Sequence, residues 1–443
     1  MIFHFTFVYL VIPHNFKASF LFVYTCRDVF GLVFCFAICY DNRKEKSPRA
    51  ERYGGEPMKT VVVTDGKYRS SIAAARMLSQ AGYAVVVVQS RVECHNPPPV
   101  FFSRCVSQSH FIEGSCRGED YAEKLMTLLR EYDRPVLLCV GADTLNCVSR
   151  HREEFAQVCD FLIAPPEVLS ALNDKETVHA RAEELGIPVP KQYDRKPDRY
   201  PVIIKPHCGE KFGLKASERY VIAASEAAYP AKLASMQVYD PHPIVQDCVQ
   251  GDGIGVCLLL GREGELLSAL CHRRIREYPT SGGPSTCCVS FYDKELIESA
   301  YHLLKSFRFT GIAMVEFKGS SLLEVNPRIW GSFPLTACTK SSFMRNYAAA
   351  AQGLPVEYRP KDFKTDVRMR FTLNDTVAIL SYLKHFRFKK ALGGIADIFR
   401  AKATVNKMLQ YYLMELCNCS QVHYLILFCQ KHIIVKELCF LFF

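Results

Sequence analysis

AMVEFKGSSLLEVNPRIWGS, residues 313–332, sets two β-prone runs, AMVEF and SLLEV, on either side of Lys318-Gly319-Ser320. That pattern predicts an antiparallel hairpin closed by a tight turn. In such a hairpin Glu316 and Glu324 face the same side, and Asn326, two residues past Glu324, points with it. Two carboxylates and an amide are oxygen donors suited to a hard cation such as Mg2+, which keeps several waters and shares phosphate oxygens. Arg328, two residues further on, reaches the same face with a guanidinium suited to phosphate. The alternative is an exposed hairpin with solvated acids. The Ala, Val, Phe and Leu neighbours argue against it, because an uncompensated acid among them is costly.

Upstream, Lys205 ends the apolar strand YPVIIKP (200–206), just before the glycine-bearing loop HCGEKFGLKAS (207–217). A lysine there is placed to neutralise a phosphate that the loop covers, although a strand-end lysine taken alone is more often simply exposed. Arg273, Arg274 and Arg276, in CHRRIREYPTSGGPST (271–286), precede a second glycine-rich turn. They read either as a clamp for phosphate or carboxylate or as a solvated face. His207 and His272 lie near these stretches and are candidates for proton handling or supporting roles, though a lone histidine is more often structural.

From Lys59 the pattern is regular. KTVVVTDG predicts a strand, SSIAAARMLSQAG a helix closed by Gly82, and YAVVVVQS a second strand. A helix through AEKLMTLLREY and strands at PVLLCVG and DFLIAPP extend this to an open parallel α/β domain ending near Pro166. The turn Asp65–Ser71 lacks a full GxGxxG fingerprint and reads as structural. A helical segment from about Val168 to Leu185 is interrupted around Asn173–Lys175. Beyond a strand at PIVQDCV, GIGVCLLLGREGELLSALCHRR predicts paired strands turning at Arg262–Gly264. Helices are expected near Lys294–Phe307 and again from Asp375.

Taken together and in this order, residues from about Lys59 to Gln352 resemble the ATP-grasp superfamily, the carboxylate-activating ligases that include carbamoyl-phosphate synthetase, biotin carboxylase and D-alanine:D-alanine ligase. The run LLEVNPRIWGS looks like that family's metal-binding strand. The resemblance implies that Glu316, Glu324 and Asn326 hold Mg2+ (or Mn2+), that Arg328 contacts transferred phosphate, and that Arg274 helps to neutralise it. It further implies that Lys205 contacts nucleotide phosphate, that Lys175 is the first basic nucleotide contact, and that Gln246, Asp247, Cys248 and Val249 form the hinge that holds adenine through backbone groups. Asp247 stands where a Glu is more usual, and Glu210, Lys211 and Phe212 make the covering loop bulkier than in many relatives. The implied fold is α/β and α+β. An N-terminal open parallel α/β (pre-ATP-grasp) domain at 58–166 precedes a two-lobed ATP-grasp fold with antiparallel sheets at 167–360. Its small lobe covers about 175–250 and its metal-binding lobe about 251–360, and a helical C-terminal extension follows at 361–443. The implied activity is ATP-dependent ligation of a carboxylate to an amine or similar nucleophile, with ATP and Mg2+ as cofactors and small-molecule partners. A nucleotide-binding module that has lost turnover and acts as sensor or scaffold is the alternative.

Composition agrees with a folded body. The 443 residues are 49% hydrophobic and 23% charged, which excludes a wholly disordered, collagen-like or coiled-coil chain. The net charge of +10 comes from interspersed basic residues without a long cationic arm, so it argues for anionic ligands rather than nucleic acid. Twenty cysteines are scattered without the spacing of a disulfide framework or a zinc site, which suggests reduced thiols and a cytoplasmic setting. Residues 1–57 form an apolar extension and polar linker, read as a start-site artefact or an anchor. Membrane association through residues 20–40 is the less favoured reading, since Arg27 and Asp28 interrupt the run well short of the roughly 18 apolar residues a spanning helix needs.

Overall fold

Val61, Val62 and Val63 are wholly buried, as are Val85, Val87 and Val88. Such unbroken β-branched runs suit a parallel sheet covered on both faces, and the computed structural model has one. It describes residues 59–207, 214, 218, 220–280 and 283–400, together with two short strands near the N-terminus. Those strands, β1 (Thr6–Val8) and β2 (Val23–Thr25), pair antiparallel with Thr6 opposite Thr25, in a unit of their own spanning Met1–Arg49.

The parallel sheet contains β3 (Thr60–Val63), β4 (Ala84–Ser90), β5 (Gln108–Ile112) and β6 (Val136–Leu138), in the order β5-β4-β3-β6. Helices α1 (Arg69–Gln80), α2 (Asp120–Leu129), α3 (Ala142–Arg150) and α4 (Arg152–Val158) connect and flank it. Because β4 lies on one side of β3 and β6 on the other, a crevice opens beyond the carboxyl ends of β3 and β6. Asp65 closes its floor, accepting hydrogen bonds from Gly141 N–H at 2.8 Å and Thr144 Oγ1 at 2.9 Å. Burial pushes its carboxyl up against these bonds.

Helices α5 (Pro166–Asn173) and α6 (Lys175–Glu184) follow. The break between them is Asp174, whose side chain caps α6 by accepting from Thr177 N–H at 2.8 Å. A small antiparallel sheet, ordered β8-β7-β9, is built from β7 (Val202–Lys205), β8 (Val221–Ala223) and β9 (Ile244–Asp247), with α7 (Tyr229–Gln237) on its core of Val202, Ile204, Ala223 and Val245.

The largest sheet is antiparallel, in the order β14-β13-β10-β11-β12-β15. Its strands are β10 (Gly253–Leu260), β11 (Leu266–Glu277), β12 (Ser285–Phe291), β13 (Gly311–Lys318), β14 (Ser321–Asn326) and β15 (Arg368–Arg370). Alternate residues of β10 enter opposite cores. Val256, Leu258 and Leu260 pack with α8 (Lys294–Ser306), whereas Cys257 and Leu259 join the side that holds Trp330, Phe333 and Phe343. Helices α9 (Pro334–Cys338) and α10 (Phe343–Ala351) belong to that second side, and α11 (Thr372–Lys384) and α12 (Phe388–Arg400) form a helical pair around Ile379, Tyr382 and Ala391.

The fold class is therefore the expected one, a parallel α/β sheet followed by antiparallel sheets. One local reading needs correction, and several strands went unread. DFLIAPP forms no strand, since only Asp160 bridges to Val136 and the remainder is covered extended chain. The strands β5, β8, β12 and β15 were not anticipated. No helix among the described residues is long and apolar enough to cross a membrane, and residues 1–5, 9–22, 26–58 and 401–443, on which the terminal readings fall, lie outside the described residues.

Gly255 shows how tightly the sheet is packed near the polar hairpin. It pairs with His272 on one side and Glu316 on the other, and a Cβ there would lie 2.3 Å from the His272 ring and 2.9 Å from Met314 Sδ. Gly255→Ala is expected to cost about 1–3 kcal/mol in stability through overpacking. A urea titration checks this, and an unchanged midpoint would show that the neighbours give way.

Candidate functional site

β13 and β14 pair so that Glu316 stands directly opposite Glu324, with a bulge beyond Glu316 and Gly319 in the turn at φ +58°. Direct cross-strand partners share a face. Asn326 Nδ2 donates to Glu316 Oε1 at 3.2 Å and to Glu324 Oε1 at 3.3 Å, so both carboxylates converge on one amide. Arg328 Nη2 donates in turn to Asn326 Oδ1 at 3.3 Å. The four residues picked out of the hairpin sequence are thus together.

Three basic residues from other elements join them. Lys175, at the start of α6, places Nζ 3.2 Å from Glu324 Oε2. Arg274, on β11, donates from Nη2 to Glu316 Oε2. Lys205, at the end of β7, lies close enough to Lys175 and Glu324 for their charges to act on it. Burial drives the Lys205 ammonium down to about 8, with Lys175 adding repulsion and Glu324 opposing both. Burial by itself would push Glu324 up, but Lys175 and Lys205 outweigh it and hold the carboxyl at about 2. Glu316 is pushed up by burial and by repulsion from Glu324, against the pull of Arg274 and Arg328. The pair therefore has one member firmly ionised and another that lacks full charge compensation. That is the electrostatic setting in which a cation binds between carboxylates. Among the described residues no three His, Cys, Asp or Glu side chains converge as metal ligands. A cation here would rest on two carboxylates and an amide, and would need water or phosphate oxygens to complete its shell.

The hinge residues lie on the neighbouring sheet. Gln246 is on β9 opposite Ile203, and its buried Oε1 accepts no hydrogen bond among the described residues. The backbone N–H groups of Asp247, Cys248 and Val249 donate to Lys191 O at 2.9 Å, Pro201 O at 3.3 Å and Asp247 O at 3.1 Å. The Asp247 side chain pairs with Arg199 and accepts from Tyr193 Oη at 2.8 Å. These contacts engage the N–H groups of residues 247–249 within the protein.

The histidines and the other arginines are engaged by neighbouring side chains. His272 is buried between Ser332 Oγ at 3.0 Å and Cys257 Sγ at 3.6 Å, and burial with Arg274 nearby holds it neutral, near 3. It contacts Ser332 in the loop after the hairpin, and burial disfavours its protonation. His207 contacts Asp240 at 2.9 Å and Glu176 at 2.8 Å. Burial works against its protonation, but the two acids prevail and raise it. Arg273 is half exposed beside Asp252. Arg276 is neither a phosphate clamp nor solvated. It is buried against Asp375 and Asp397, and so ties β11 to α11 and α12.

Two residues of the site escaped the sequence reading. His179 is buried one helical turn after Lys175, its Nε2 3.0 Å from Leu323 O, and burial together with Lys205 keeps it neutral at about 4. Its spacing of four from Lys175 on a helix was the available signal. Tyr68 lies at the mouth of the N-terminal crevice, near enough to Arg328 for that charge to oppose the upward push of burial on its hydroxyl. Ser70 Oγ donates to Trp330 O at 3.0 Å, which fixes the start of α1 to the loop that carries Arg328.

Residues 172–332 match the model of the ATP-grasp domain family. No curated protein matches the chain in sequence. Among solved structures, the biotin carboxylase–β-γ-ATP complex from Campylobacter jejuni aligns with a TM-score of 0.52 at 14% identity, over 70% of this chain and 74% of that one. The biotin carboxylase domain of Hydrogenobacter thermophilus 2-oxoglutarate carboxylase, in complex with MgADP, ADP and bicarbonate, aligns at 0.51 and 14% identity, over 70% and 73%. N5-carboxyaminoimidazole synthetase from Staphylococcus aureus aligns at 0.50 and 14% identity, over 69% and 80%. At such identities the likeness is one of fold, and it joins the family match to the hairpin geometry. Residues 172–332 thus carry the match to the ATP-grasp domain family, and the fold around them is shared with these ligases.

Proposed function

We propose that this protein is an ATP-dependent ligase that activates a carboxylate as an acyl phosphate and passes the acyl group to an amine or similar nucleophile. The observation that carries the reading is the facing pair Glu316 and Glu324, bridged by Asn326 and ringed by Lys175, Lys205, Arg274 and Arg328. In the first step a substrate carboxylate oxygen attacks the γ-phosphorus of ATP and ADP leaves. In the second the amine nitrogen attacks the acyl carbon, phosphate leaves, and the amine proton passes to solvent. Such chemistry needs position and charge neutralisation rather than a protein nucleophile. Lys205 and Lys175 neutralise nucleotide phosphate, Arg328 and Arg274 face the transferred group, and residues 246–249 border the base. Mg2+ bound by Glu316, Glu324 and Asn326 would supply charge neutralisation at the phosphate oxygens. The chain divides into 58–166, 167–360 and 361–443, with β15 of the last part completing the large sheet.

The test is release of ADP and phosphate by the full chain with Mg2+-ATP and a panel of carboxylates crossed with amines. Release that depends on a particular pair is expected. Binding of ATP without release from any pair would favour a sensor or scaffold, and failure to bind ATP would overturn the reading.

Lys205 also gives this reading a pH signature. An anion binds the protonated lysine better, so nucleotide affinity is expected to fall as pH rises through about 8. Titrations of ATP between about pH 7 and about pH 9 check this. Lys205→Arg, charged throughout, should remove the fall, and a flat wild-type profile would count against contact between Lys205 and phosphate.

A further inference from the structure

We propose that the helical pair α11–α12 docks on an anionic membrane surface, lying on it rather than crossing it. The pair's inner side is fully engaged. Ile379, Tyr382 and Ala391 form its core, while Asp375 and Asp397 are held by Arg276, Arg368 and Arg370. Among the described residues its outer side has no such cover. Leu373, Val377, Leu380 and Lys384 recur at intervals of four, three and four along α11, which places them on one stripe of the helix. All four are exposed, Leu373 at 83%. The stripe runs into the connection to α12, where every residue of Lys384-His385-Phe386-Arg387-Phe388-Lys389-Lys390 is exposed. Phe386 is 80% exposed and Phe388 55%, their rings 6.0 Å apart, and Leu392 follows one turn later at 64%.

Large apolar side chains gathered in one place rather than scattered singly mark an interaction surface, and the charges specify the partner. Lys384, Arg387, Lys389 and Lys390 contribute four positive charges within seven residues and no acid interrupts them. The acids of the two helices, Asp375 and Asp397, are buried and paired on the other side. Glu277 of β11, itself largely buried, is the acid whose charge acts with that of Lys390, and Lys390 also lies over the Tyr382 ring at 5.8 Å. Basic side chains interleaved with Phe and Leu suit anionic headgroups above an acyl boundary. A single-stranded nucleic acid would use the cations and the Phe rings, but it offers nothing to the aliphatic Leu373, Val377, Leu380 and Leu392.

The experiment is co-sedimentation of the full chain with vesicles of phosphatidylcholine alone and of phosphatidylcholine with phosphatidylserine, at low and high salt. Binding to the anionic vesicles is expected, weakened at least tenfold by Arg387→Glu with Lys389→Glu and likewise by Phe386→Ser with Phe388→Ser, with unchanged melting temperatures because all four positions are exposed. Anionic binding equal in both variants and the wild type would locate the contact elsewhere and overturn the proposal. So would a lack of binding, retention on a single-stranded RNA oligonucleotide in place of vesicles, or concentration-dependent self-association abolished by the same substitutions.

Discussion

Glu324→Gln is expected to lower ATP turnover by about 10²–10³-fold or more, the scale on which single preorganised electrostatic contacts matter in catalysis. Glu324 is the ionised member of the facing carboxylates, held at about 2 by Lys175 and Lys205 despite its burial. An amide in its place removes one of two anionic donors from the cation position and leaves the lysines without the counter-charge between them. Lys205, already lowered to about 8 by burial and by Lys175, should then lose its proton more readily. The defect should therefore deepen as pH rises, and more Mg2+ should be needed for whatever turnover remains. Steady-state ADP release over a range of Mg2+ concentrations and pH values measures both. Turnover indifferent to the substitution would remove Glu324 from the site.

Asp375→Ala is expected to cost about 3–5 kcal/mol of stability, the range for stripping one partner from a buried ion pair. Asp375 is fully buried. Its Oδ1 accepts from Arg276 Nε at 2.7 Å and Thr286 Oγ1 at 3.0 Å, and its Oδ2 from Arg276 Nη2 at 2.9 Å and Arg370 Nε at 2.5 Å. Arg276 also donates from Nη1 to Asp397 at 2.6 Å, and Arg368 reaches the same carboxylate. Without Asp375, Arg276 and Arg368 would share Asp397, and Arg370, whose buried Nη2 already has no partner among the described residues, would lose its carboxylate acceptor. Asp375→Asn keeps one acceptor and should lie between alanine and the wild type. Urea denaturation of the three proteins gives the order, and equal midpoints would show that the network is solvated or relaxes freely.

The hairpin was legible because the side-chain period of a strand is two and Lys318-Gly319-Ser320 marks a turn. The bulge was not, and it is the bulge after Glu316 that brings Glu324 rather than Leu323 opposite it, since the turn itself pairs Lys318 with Ser321 and Phe317 with Leu322. The valine runs of β3 and β4 were legible for a related reason, since buried parallel strands need no alternation. Arg276 was not. It is two residues from Arg274 on the same strand, which by simple alternation would share its face, but the register of β11 against β12 shifts between them and the partners of Arg276 arrive from a helix a hundred positions away. β5, with Gln108 and Ser109 exposed, and the three-residue β15, with two arginines, carry no apolar signature and exist because a neighbouring strand offers an edge. DFLIAPP failed in the opposite direction, as its apolar residues are buried by packing without a ladder. His179 looked like an ordinary helix residue until β14 supplied the carbonyl of Leu323.

Whether the facing carboxylates and the cations around them form a Mg2+-nucleotide site is decided by how ATP binding depends on the metal. Calorimetric titration of ATP into the full chain, with Mg2+ and with chelator, for the wild type and for the variant carrying both Glu316→Gln and Glu324→Gln, tests it most directly. Binding that Mg2+ strengthens in the wild type, and that loses its Mg2+ dependence in the double variant, is expected. Affinity for ATP that ignores both Mg2+ and the two substitutions would contradict such a site.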